Sequence, residues 1–380
     1  MYSSFRVQNF RGFKDLRLDD LARVNLIAGK NNTGKTALLE AIYTYTGVYD
    51  SSMLLRIPDH ERQSFKSYKV DQGTEPINPG WPLLFHNFET SEAIHLCGQN
   101  AGQERPGRQD NGTGSDDSRD VEISLCHVDS LPFDLTARWS NLERVVDESG
   151  RILVFGEGDK TWASFNPYTR SRNTSAAFVG PPVSDEPRRE TRCDSRFLSA
   201  NATLSADAEA TLFSDVRFTG QDQSLLSVAR KIDPRAWHIE LLTNGLKIEL
   251  HVHLEGLKQP LPISSMGEGM RRIISLMLAI ANTEDGIVLV DEIENGLHYS
   301  VQVDVWKAIA EAARACNVQI FATTHSYEMV RAAHEAFLDD VSYDLRLHRL
   351  HRSTKTDEIT PTTFNRFSVS AAIDQVAEVR

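Results

Sequence analysis

The sequence predicts an α/β fold in which a mainly parallel sheet is covered by helices and interrupted by a long, mixed insertion. Two observations predict the sheet: a strand, a glycine loop and a helix follow one another near the start, and helices alternate with apolar strands after residue 223. A third predicts the insertion. Between residues 51 and 222 that alternation gives way to stretches rich in proline, glycine and polar residues.

The N-terminal lobe is predicted to occupy residues 1–50. Residues 5–10 alternate like a half-buried strand, and residues 16–18 look like its hairpin partner. Residues 24–28 form a short apolar strand that runs into a glycine loop, and residues 36–45 carry helix formers at helical spacing. This lobe is therefore a strand, loop and helix unit beside a hairpin.

The insertion is predicted to span residues 51–222 and to mix β-strands with irregular structure. Its plausible strands are residues 121–125 and 151–155. Two stretches with loop-like composition, residues 98–120 and 166–192, are predicted to be mobile surface loops. No heptad pattern is sustained in the insertion, so a long coiled-coil arm is not expected.

The C-terminal lobe is predicted at residues 223–345, with a tail at 346–380 that completes it. Its predicted elements are helix 224–232, a hairpin of strands 237–242 and 246–254, helix 268–281, strand 287–290, helix 301–315 and strand 318–322. The strand at 287–290 is continuously apolar, which is typical of a strand buried on both faces of a parallel sheet.

Composition narrows the class of protein. Lys and Arg number 41 against 53 Asp and Glu, so the net charge of −12 argues against a dedicated nucleic-acid coat, although a local basic groove stays open. No apolar run has the length of a membrane helix and the start lacks a signal-peptide pattern, which predicts a cytoplasmic protein with no membrane partner. Four widely spaced cysteines favour neither a disulfide framework nor a structural zinc site.

The loop after the first apolar strand fits the phosphate-binding pattern G-x-x-x-x-G-K-[ST] and lies between a strand and a helix, as that pattern requires. Backbone N–H groups and the helix N-terminus there favour a triphosphate such as that of ATP. Lys35 is expected to reach the β- and γ-phosphates and Thr36 to place its hydroxyl on Mg²⁺. The loop residues are Gly29, Lys30, Asn31, Asn32, Thr33, Gly34, Lys35 and Thr36.

The second element of the predicted site is acidic. It consists of Asp291 and Glu292, which directly follow the strand at residues 287–290. The carboxyl ends of parallel strands are where ligands of open α/β sheets bind. Asp291 is therefore expected in the Mg²⁺ shell, and Glu292 is expected to orient or deprotonate the attacking water. An apolar strand followed by Asp and Glu is, on its own, more often a simple surface turn. In a chain that also has the glycine loop, it is the acidic element that a nucleotide site requires.

These residues resemble the ABC-type ATPase heads of the RecF, SMC and OLD (overcoming lysogenization defect) group, commonly called AAA family ATP-binding proteins. Four motifs occur in the family's order and cover roughly residues 1–45 and 224–337. The segments that carry the resemblance are residues 9–13, 24–36, 38–42, 263–269, 291–298 and 321–326.

The resemblance implies a P-loop NTPase of ABC-ATPase type that hydrolyses ATP with Mg²⁺. It also implies that Ser265 and Gly267 of the signature segment touch the γ-phosphate bound to the opposite subunit of a dimer. His325, after the last predicted strand, would sense the γ-phosphate. No glutamine of the insertion can be assigned to the family's Q-loop.

Plainer interpretations of some of these residues stay open. Ser264 and Ser265 followed by Glu268 have the spacing of a capping box, which a simple helix start would also show. His325 could be a polar residue at a strand end, and Ser326 is expected to cap the next helix.

Two further pairs carry a candidate role beside a plainer one. His251 and His253 share a strand face, but no acidic or cysteine partner has matching spacing, so a solvated face is favoured over a metal site. Arg271 and Arg272 could contact DNA or a partner's phosphate, with a solvated helix face as the default.

The resemblance leads to two hypotheses about biological role. In the first, the ATPase dimerises around two nucleotides and acts as a switch that gates a partner effector in defence against phage or other foreign DNA. OLD-type relatives often carry a Toprim nuclease, but only 55 residues follow His325, so a nuclease is expected on another polypeptide encoded nearby. In the second, the chain is a RecF-like DNA-repair clamp that binds DNA directly.

Overall fold

The computed structural model describes residues 1–47, 81–101, 118–127, 151–157, 160–163, 194–200, 204–220, 222–244, 247–338, 340 and 342–374. The strands are β1 Tyr2–Phe10, β2 Phe13–Leu18, β3 Val24–Gly29, β4 Ile94–Asn100, β5 Ser118–His127, β6 Arg151–Glu157, β7 Lys160–Ala163, β8 Ser195–Leu198, β9 Ala236–Asn244, β10 Lys247–Leu254, β11 Leu261–Pro262, β12 Ile287–Val290, β13 Gln319–Thr324, β14 Leu345–Arg352 and β15 Ile359–Phe364. The helices are α1 Lys35–Thr46, α2 Ala206–Phe218, α3 Asp222–Ile232, α4 Glu268–Ala281, α5 Gln302–Ala315, α6 Tyr327–Leu338 and α7 Arg366–Asp374.

A central six-stranded sheet positions the site. Its strand order is β15-β14-β3-β13-β12-β8, and all neighbours pair in parallel except β15, which runs antiparallel at one edge. Every residue of β3, β12 and β13 is buried. Their apolar composition matches strands that are covered on both faces. The carboxyl ends of these three strands therefore meet at one edge of the sheet.

Successive side chains of the central strands enter two different cores, as the alternation of a β-strand requires. Val288 and Val290 pack with α3, α4, α5 and α6 on one face. Ile287 and Leu289 pack on the other face with α1 and with the strands β1, β2 and β4. Helix α1 therefore lies between the central sheet and a second sheet.

That second sheet is antiparallel, with the order β2-β1-β4-β5-β6-β7. Within the residues predicted as an insertion, 51–222, strands β4 to β7 extend the hairpin of the N-terminal lobe into this sheet. Strand β8 pairs in parallel with β12 and so belongs to the central sheet. Pairing of this kind is nonlocal, and composition along the chain does not reveal it.

The two predicted loops of the insertion have different outcomes. Strand β4 extends to Asn100 and β5 begins at Ser118, so both ends of the loop predicted at 98–120 are strand. Residues 102–117 and the whole of the second predicted loop, 166–192, lie outside the described residues.

In the C-terminal half, the predicted helices and strands are found with ends shifted by one or two residues. The hairpin of β9 and β10 forms a three-stranded sheet with β11. The residues predicted as a tail contain all of β14 except Leu345, and this strand pairs with β3 in the middle of the central sheet. Among the described residues, no helix has the length and apolar character needed to cross a bilayer.

Candidate functional site

The glycine loop connects the end of β3 to the start of α1. Gly34 has φ 83° at the helix N-cap, a left-handed conformation that favours glycine, and a Cβ there would lie 2.7 Å from Phe13 Cζ. A Cβ on Gly29 would lie 2.7 Å from the carbonyl oxygen of Leu350. No acidic residue occupies the first turn of α1. The helix N-terminus therefore presents a positive dipole end without a competing side chain.

The remaining loop residues differ in exposure. Thr33 is buried and its hydroxyl donates to the carbonyl oxygen of Lys30 at 2.8 Å, which closes the loop on itself. The exposed residues at the tip of the loop are Lys30, Asn31 and Asn32. The loop is thus held from within and open to solvent at its tip.

Lys35 lies inside this loop and is 5% exposed. Its Nζ donates to the carbonyl oxygens of Gly29 at 2.8 Å and Lys30 at 3.0 Å, and lies 3.2 Å from His325 Nδ1. Burial lowers the pKa of Lys35 to about 8, although nearby carboxylates, Asp291 first among them, oppose that shift. This buried cation is held by neutral acceptors, which an anionic ligand could replace.

Thr36 and Asp291 meet across the gap between α1 and the end of β12. The Thr36 hydroxyl donates to Asp291 Oδ2 at 3.0 Å, and the Thr323 hydroxyl donates to Asp291 Oδ1 at 2.5 Å. Burial raises the pKa of Asp291, while its hydrogen bonds from Thr323 and Thr36 lower it. A hydroxyl and a buried carboxylate that converge in this way form an oxygen donor set suited to Mg²⁺.

Glu292 follows Asp291 in a left-handed conformation with φ 48°. Its backbone N–H donates to the Thr323 hydroxyl at 2.8 Å, and Asn295 Nδ2 donates to its Oε2 at 2.9 Å. Its Oε1 lies 3.6 Å from His325 Nε2. The carboxylate is therefore held by one amide and faces one imidazole nitrogen.

His325 joins the loop lysine to the Glu292 carboxylate. Because the Lys35 ammonium can only donate, His325 Nδ1 accepts from it, and the ring proton then lies on Nε2, facing Glu292. The His325 backbone N–H donates to Glu294 Oε1 at 2.6 Å. The next residue, Ser326, accepts at its hydroxyl from the Met329 N–H at 3.1 Å and so caps α6, as predicted.

The signature segment precedes α4. Ser264 and Ser265 are exposed, and the helix N-cap is Gly267 at φ 89°, with no side-chain capping hydrogen bond. The capping box that the sequence left open is therefore not formed. Gly269 packs on the segment after β12, since a Cβ there would lie 2.1 Å from the carbonyl oxygen of Gly296. The start of α4 is thus adjacent to the acidic segment, while the two serines lie exposed in the turn before the helix.

The structure brings together Lys35, Thr36, Asp291, Glu292 and His325 in one network of contacts. Ser265 and Gly267 have no direct hydrogen bond to that network among the described residues. Three of the residues that hold the network, Thr323, Glu294 and Asn295, had no role assigned from sequence. Glu294 and Asn295 lie in the acidic run after β12, so their position was a usable signal. Thr323 lies just past the strand predicted at 318–322 and was named only within the segment 321–326 of the family resemblance.

The interpretation of two other residue pairs changes. The default of a solvated helix face is wrong for Arg272, which is buried. Arg271 is half-buried and donates to the Leu204 carbonyl oxygen at 2.9 Å, and a contact of Arg271 with DNA or a partner's phosphate stays a prediction. His253 Nε2 lies 2.5 Å from Glu240 Oε1 on the β9–β10 sheet. No group of three or more His, Cys, Asp or Glu side chains that could hold a metal occurs in the part of the chain that the structure describes.

Comparison with known proteins decides the family. A family model described as an AAA ATPase domain matches residues 1–68 and 205–330, which is about half of the chain. The chain belongs to this AAA ATPase domain family. It has the ABC-type P-loop ATPase fold of SMC heads, which confirms the predicted fold class. The OLD-like part of the resemblance stays a prediction.

Individual relatives agree with that assignment. A Helicobacter pylori protein named ATP/GTP phosphatase is 22% identical over 363 residues, which cover 87% of this chain and 86% of that protein. The DNA replication and repair protein RecF of Francisella tularensis subsp. novicida is 38% identical over 78 residues, which cover 19% of this chain and 22% of RecF.

Solved structures of SMC heads share the fold. An SMC head bound to the C-winged helix domain of ScpA has a TM-score of 0.52 at 12% identity, and the match covers 98% of this chain and 99% of that one. An SMC head with an extended coiled coil, bound to a ScpA C-terminal domain derived from Pyrococcus furiosus, has a TM-score of 0.51 at 10% identity, covering 99% of each chain. At such identity the likeness establishes the fold alone.

Proposed function

We propose that this chain hydrolyses ATP to ADP and phosphate in a Mg²⁺-dependent reaction. The observation that carries the proposal is the single network that joins Lys35 and Thr36 of the glycine loop to Asp291, Glu292 and His325 at the strand ends. Phosphoryl transfer to water needs three parts, which are a loop that binds phosphate, a pair of oxygen donors for the metal ion and a carboxylate that water can reach. The Glu292 side chain is 36% exposed.

Binding of the triphosphate is assigned to the loop amides and Lys35. The ammonium group would exchange its contacts with the loop carbonyls and with His325 for phosphate oxygens, since a negatively charged acceptor binds an ammonium more strongly than a neutral acceptor does. The Thr36 hydroxyl and the Asp291 carboxylate fit Mg²⁺ as oxygen ligands. When bound, that ion neutralises charge on the phosphates.

Glu292 is assigned as the general base. A water molecule held against its carboxylate gives up a proton as the water oxygen bonds to the γ-phosphorus, and the bond to the bridging oxygen breaks to release ADP. Asn295 fixes one carboxylate oxygen and His325 faces the other, so the group has a defined orientation. His325 contacts Lys35 as well, and a change at the phosphates would therefore reach Glu292 through one side chain.

Glu292→Gln tests this assignment, because it keeps the side-chain volume and removes the base. We expect Mg²⁺-ATP affinity within about threefold of wild type and kcat lower by about 100-fold or more, the usual contribution of a general base. Phosphate release and the binding of a fluorescent ATP analogue measure the two quantities. Glu311→Gln, at an exposed position of α5, is the matched control. Unchanged turnover in Glu292→Gln would remove Glu292 from the mechanism.

We further propose that two copies enclose two nucleotides, each site combining the glycine loop of one copy with the signature segment of the other. Ser265 is exposed and unused as a cap, and within the described residues nothing lies within 4 Å of a Cβ built on Gly267. An uncapped helix start with open space before it can accept a neighbour's anion.

A mixing experiment tests the shared site. Lys35→Ala and Ser265→Arg should each be inactive alone. Co-expressed, they should regain about a quarter of wild-type activity, because about half of the dimers are mixed and each of these has one intact site. Inactivity of the mixture, with mixed dimers shown to be present, would contradict the shared site.

The biological role of this proposed ATP-dependent dimer is inferred from the family resemblance. The first candidate is the gating of a partner effector, such as a Toprim-type nuclease encoded nearby, in defence against foreign DNA. The second is direct DNA binding of RecF type, which the 38% identity to RecF over 78 residues favours. Duplex affinity measured between about 50 and 200 mM salt separates them, since a DNA clamp loses affinity steeply with salt. Stable co-purification of the neighbouring gene product, without DNA binding by the chain alone, supports gating.

A further inference from the structure

Arg272 joins three segments of the chain that meet beneath the acidic strand end. The residue lies in the second turn of α4 and is 8% exposed. Its Nη1 donates to the carbonyl oxygens of Ser199 at 3.2 Å and Ala200 at 3.0 Å, just after β8. Its Nη2 donates to the carbonyl oxygen of Asp291 and to that of Glu292 at 3.1 Å. One guanidinium therefore holds four backbone carbonyls.

Two of those carbonyls belong to the residues whose side chains form the site. Glu292 has a left-handed backbone, which is disfavoured for a residue with a side chain and persists only where its surroundings impose it. Thr323 fixes the Glu292 backbone on its N–H side, and Arg272 fixes it on its carbonyl side. The direction in which the Glu292 carboxylate leaves the backbone is thus set from both sides.

The same helix starts at the signature segment. Four residues lie between Gly267, at the exposed start of α4, and Arg272, and one of them, Gly269, packs against Gly296. A rigid helix transmits a small shift at its first turn to its second turn. The neighbouring arginine differs in its partners: Arg271 donates to Leu204 and pairs with Glu209 at 3.5 Å. Only one of the two arginines therefore touches the acidic segment.

We propose that Arg272 is a positioning residue that couples the signature end of α4 to the orientation of the Glu292 carboxylate. This inference rests on the proposed ATPase function. Contact at the signature segment shifts α4, the guanidinium moves with the helix, and the Asp291 and Glu292 carbonyls follow. Hydrolysis is thereby tied to what is bound at the start of α4, while the glycine loop that binds ATP is left unchanged.

The test compares Arg272→Met and Arg272→Lys with Arg271→Met, the matched control one residue away. For Arg272→Met we expect ATP affinity within about threefold of wild type and kcat lower by about 30-fold. A loss of kcat without a loss of affinity is typical of a group that acts only in the transition state. Arg272→Lys should recover part of kcat, because one ammonium replaces some of the four hydrogen bonds. Arg271→Met should keep kcat within about threefold of wild type.

A double-mutant cycle with Glu292→Gln separates positioning from general stability. If Arg272 acts through Glu292, adding Arg272→Met or Arg272→Lys to Glu292→Gln should lower the residual single-turnover rate by less than about twofold. A full additional loss would overturn the inference, and so would wild-type kcat in both Arg272 variants or an equal loss in Arg271→Met. If Arg272→Met does not fold, Arg272→Lys carries the same cycle. An inactive wild type would instead remove the proposed function.

Discussion

Two buried polar clusters lie on the central sheet and differ in charge. At the carboxyl ends of the strands, Lys35 and Asp291 are both ionisable and buried. Within the sheet, His348 and Asn25 on the adjacent strands β14 and β3 are fully buried, and burial lowers the pKa of His348 to about 4, so its imidazole is neutral at pH 7.

The second cluster satisfies itself. His348 Nε2 lies 3.3 Å from Asn25 Oδ1 and its Nδ1 lies 3.0 Å from the Thr363 hydroxyl, so one ring nitrogen donates and the other accepts. The Asn25 amide also donates to the carbonyl oxygen of Ala22 at 2.7 Å. Burial of polar groups therefore does not by itself mark a site. A site is indicated by buried charges whose present partners can be replaced by the charged groups of a ligand.

Of the variants that compare the two clusters, Lys35→Ala should have the largest effect, and that effect should be on ATP binding and not on the fold. We expect ATP affinity to fall by about 100-fold or more, because a buried charge-assisted hydrogen bond to phosphate is lost, while the fold is retained. Titration with a fluorescent ATP analogue measures the loss. Lys30→Ala removes an exposed side chain from the same loop and should change affinity by about threefold or less. Wild-type affinity in Lys35→Ala would contradict the loop assignment.

His348 should affect stability and not catalysis. Its pKa is about 4 in the folded chain against an ordinary value of 6.5, so the unfolded chain binds more protons between these two values. The stability that the neutral imidazole contributes is therefore complete above pH 6.5 and is lost as the pH falls toward 4. From pH 7 to pH 5 this amounts to about 2 kcal/mol of unfolding free energy.

Urea unfolding of wild type and His348→Gln at both pH values checks this. Other titrating groups are common to the two proteins, so the difference between their pH dependences isolates the histidine. Equal pH dependence in the two proteins would show that the buried imidazole is not the group responsible.

Short-range patterns predicted the parts of the site that lie on one continuous stretch. The glycine loop and the strand ending in Asp291 and Glu292 are readable because spacing and apolar runs determine them locally. The partners of β8 and β14 are not: β14 pairs with β3, so Leu345 lies opposite Val24, and no periodicity records a contact at that separation.

The burial of Arg272 is a second feature that the sequence alone did not predict. A charged residue on a helix is expected in solvent, and only the meeting of residues after β8 with those after β12 supplies the four carbonyls that hold its guanidinium. The signature start of α4 shows a third: the serines fitted a capping box, but the chain turns at Gly267, so the hydroxyls are not used. Both depend on tertiary contacts that local rules do not contain.

Thr323 and Thr363 provide the finest comparison, because the hydroxyl of each makes hydrogen bonds within one of the two clusters. The Thr323 hydroxyl donates to Asp291 and accepts from the Glu292 N–H, whereas the Thr363 hydroxyl reaches His348. Valine at either position has nearly the same shape and no hydroxyl. Thr323→Val should lower kcat by about tenfold, since both acidic residues lose a fixed contact.

Thr363→Val should leave kcat within about twofold and lower the unfolding free energy by about 1 kcal/mol, the usual value of one intramolecular hydrogen bond. Steady-state phosphate release and urea unfolding, applied to both variants, give the two pairs of numbers. If the cluster around Asp291 serves a ligand and the cluster around His348 serves the fold, Thr323→Val should lower mainly kcat. Thr363→Val should lower mainly the unfolding free energy. If Thr363→Val lowered kcat as much as Thr323→Val does, the neutral cluster would also have to act on the nucleotide, through β3 and the glycine loop that follows it.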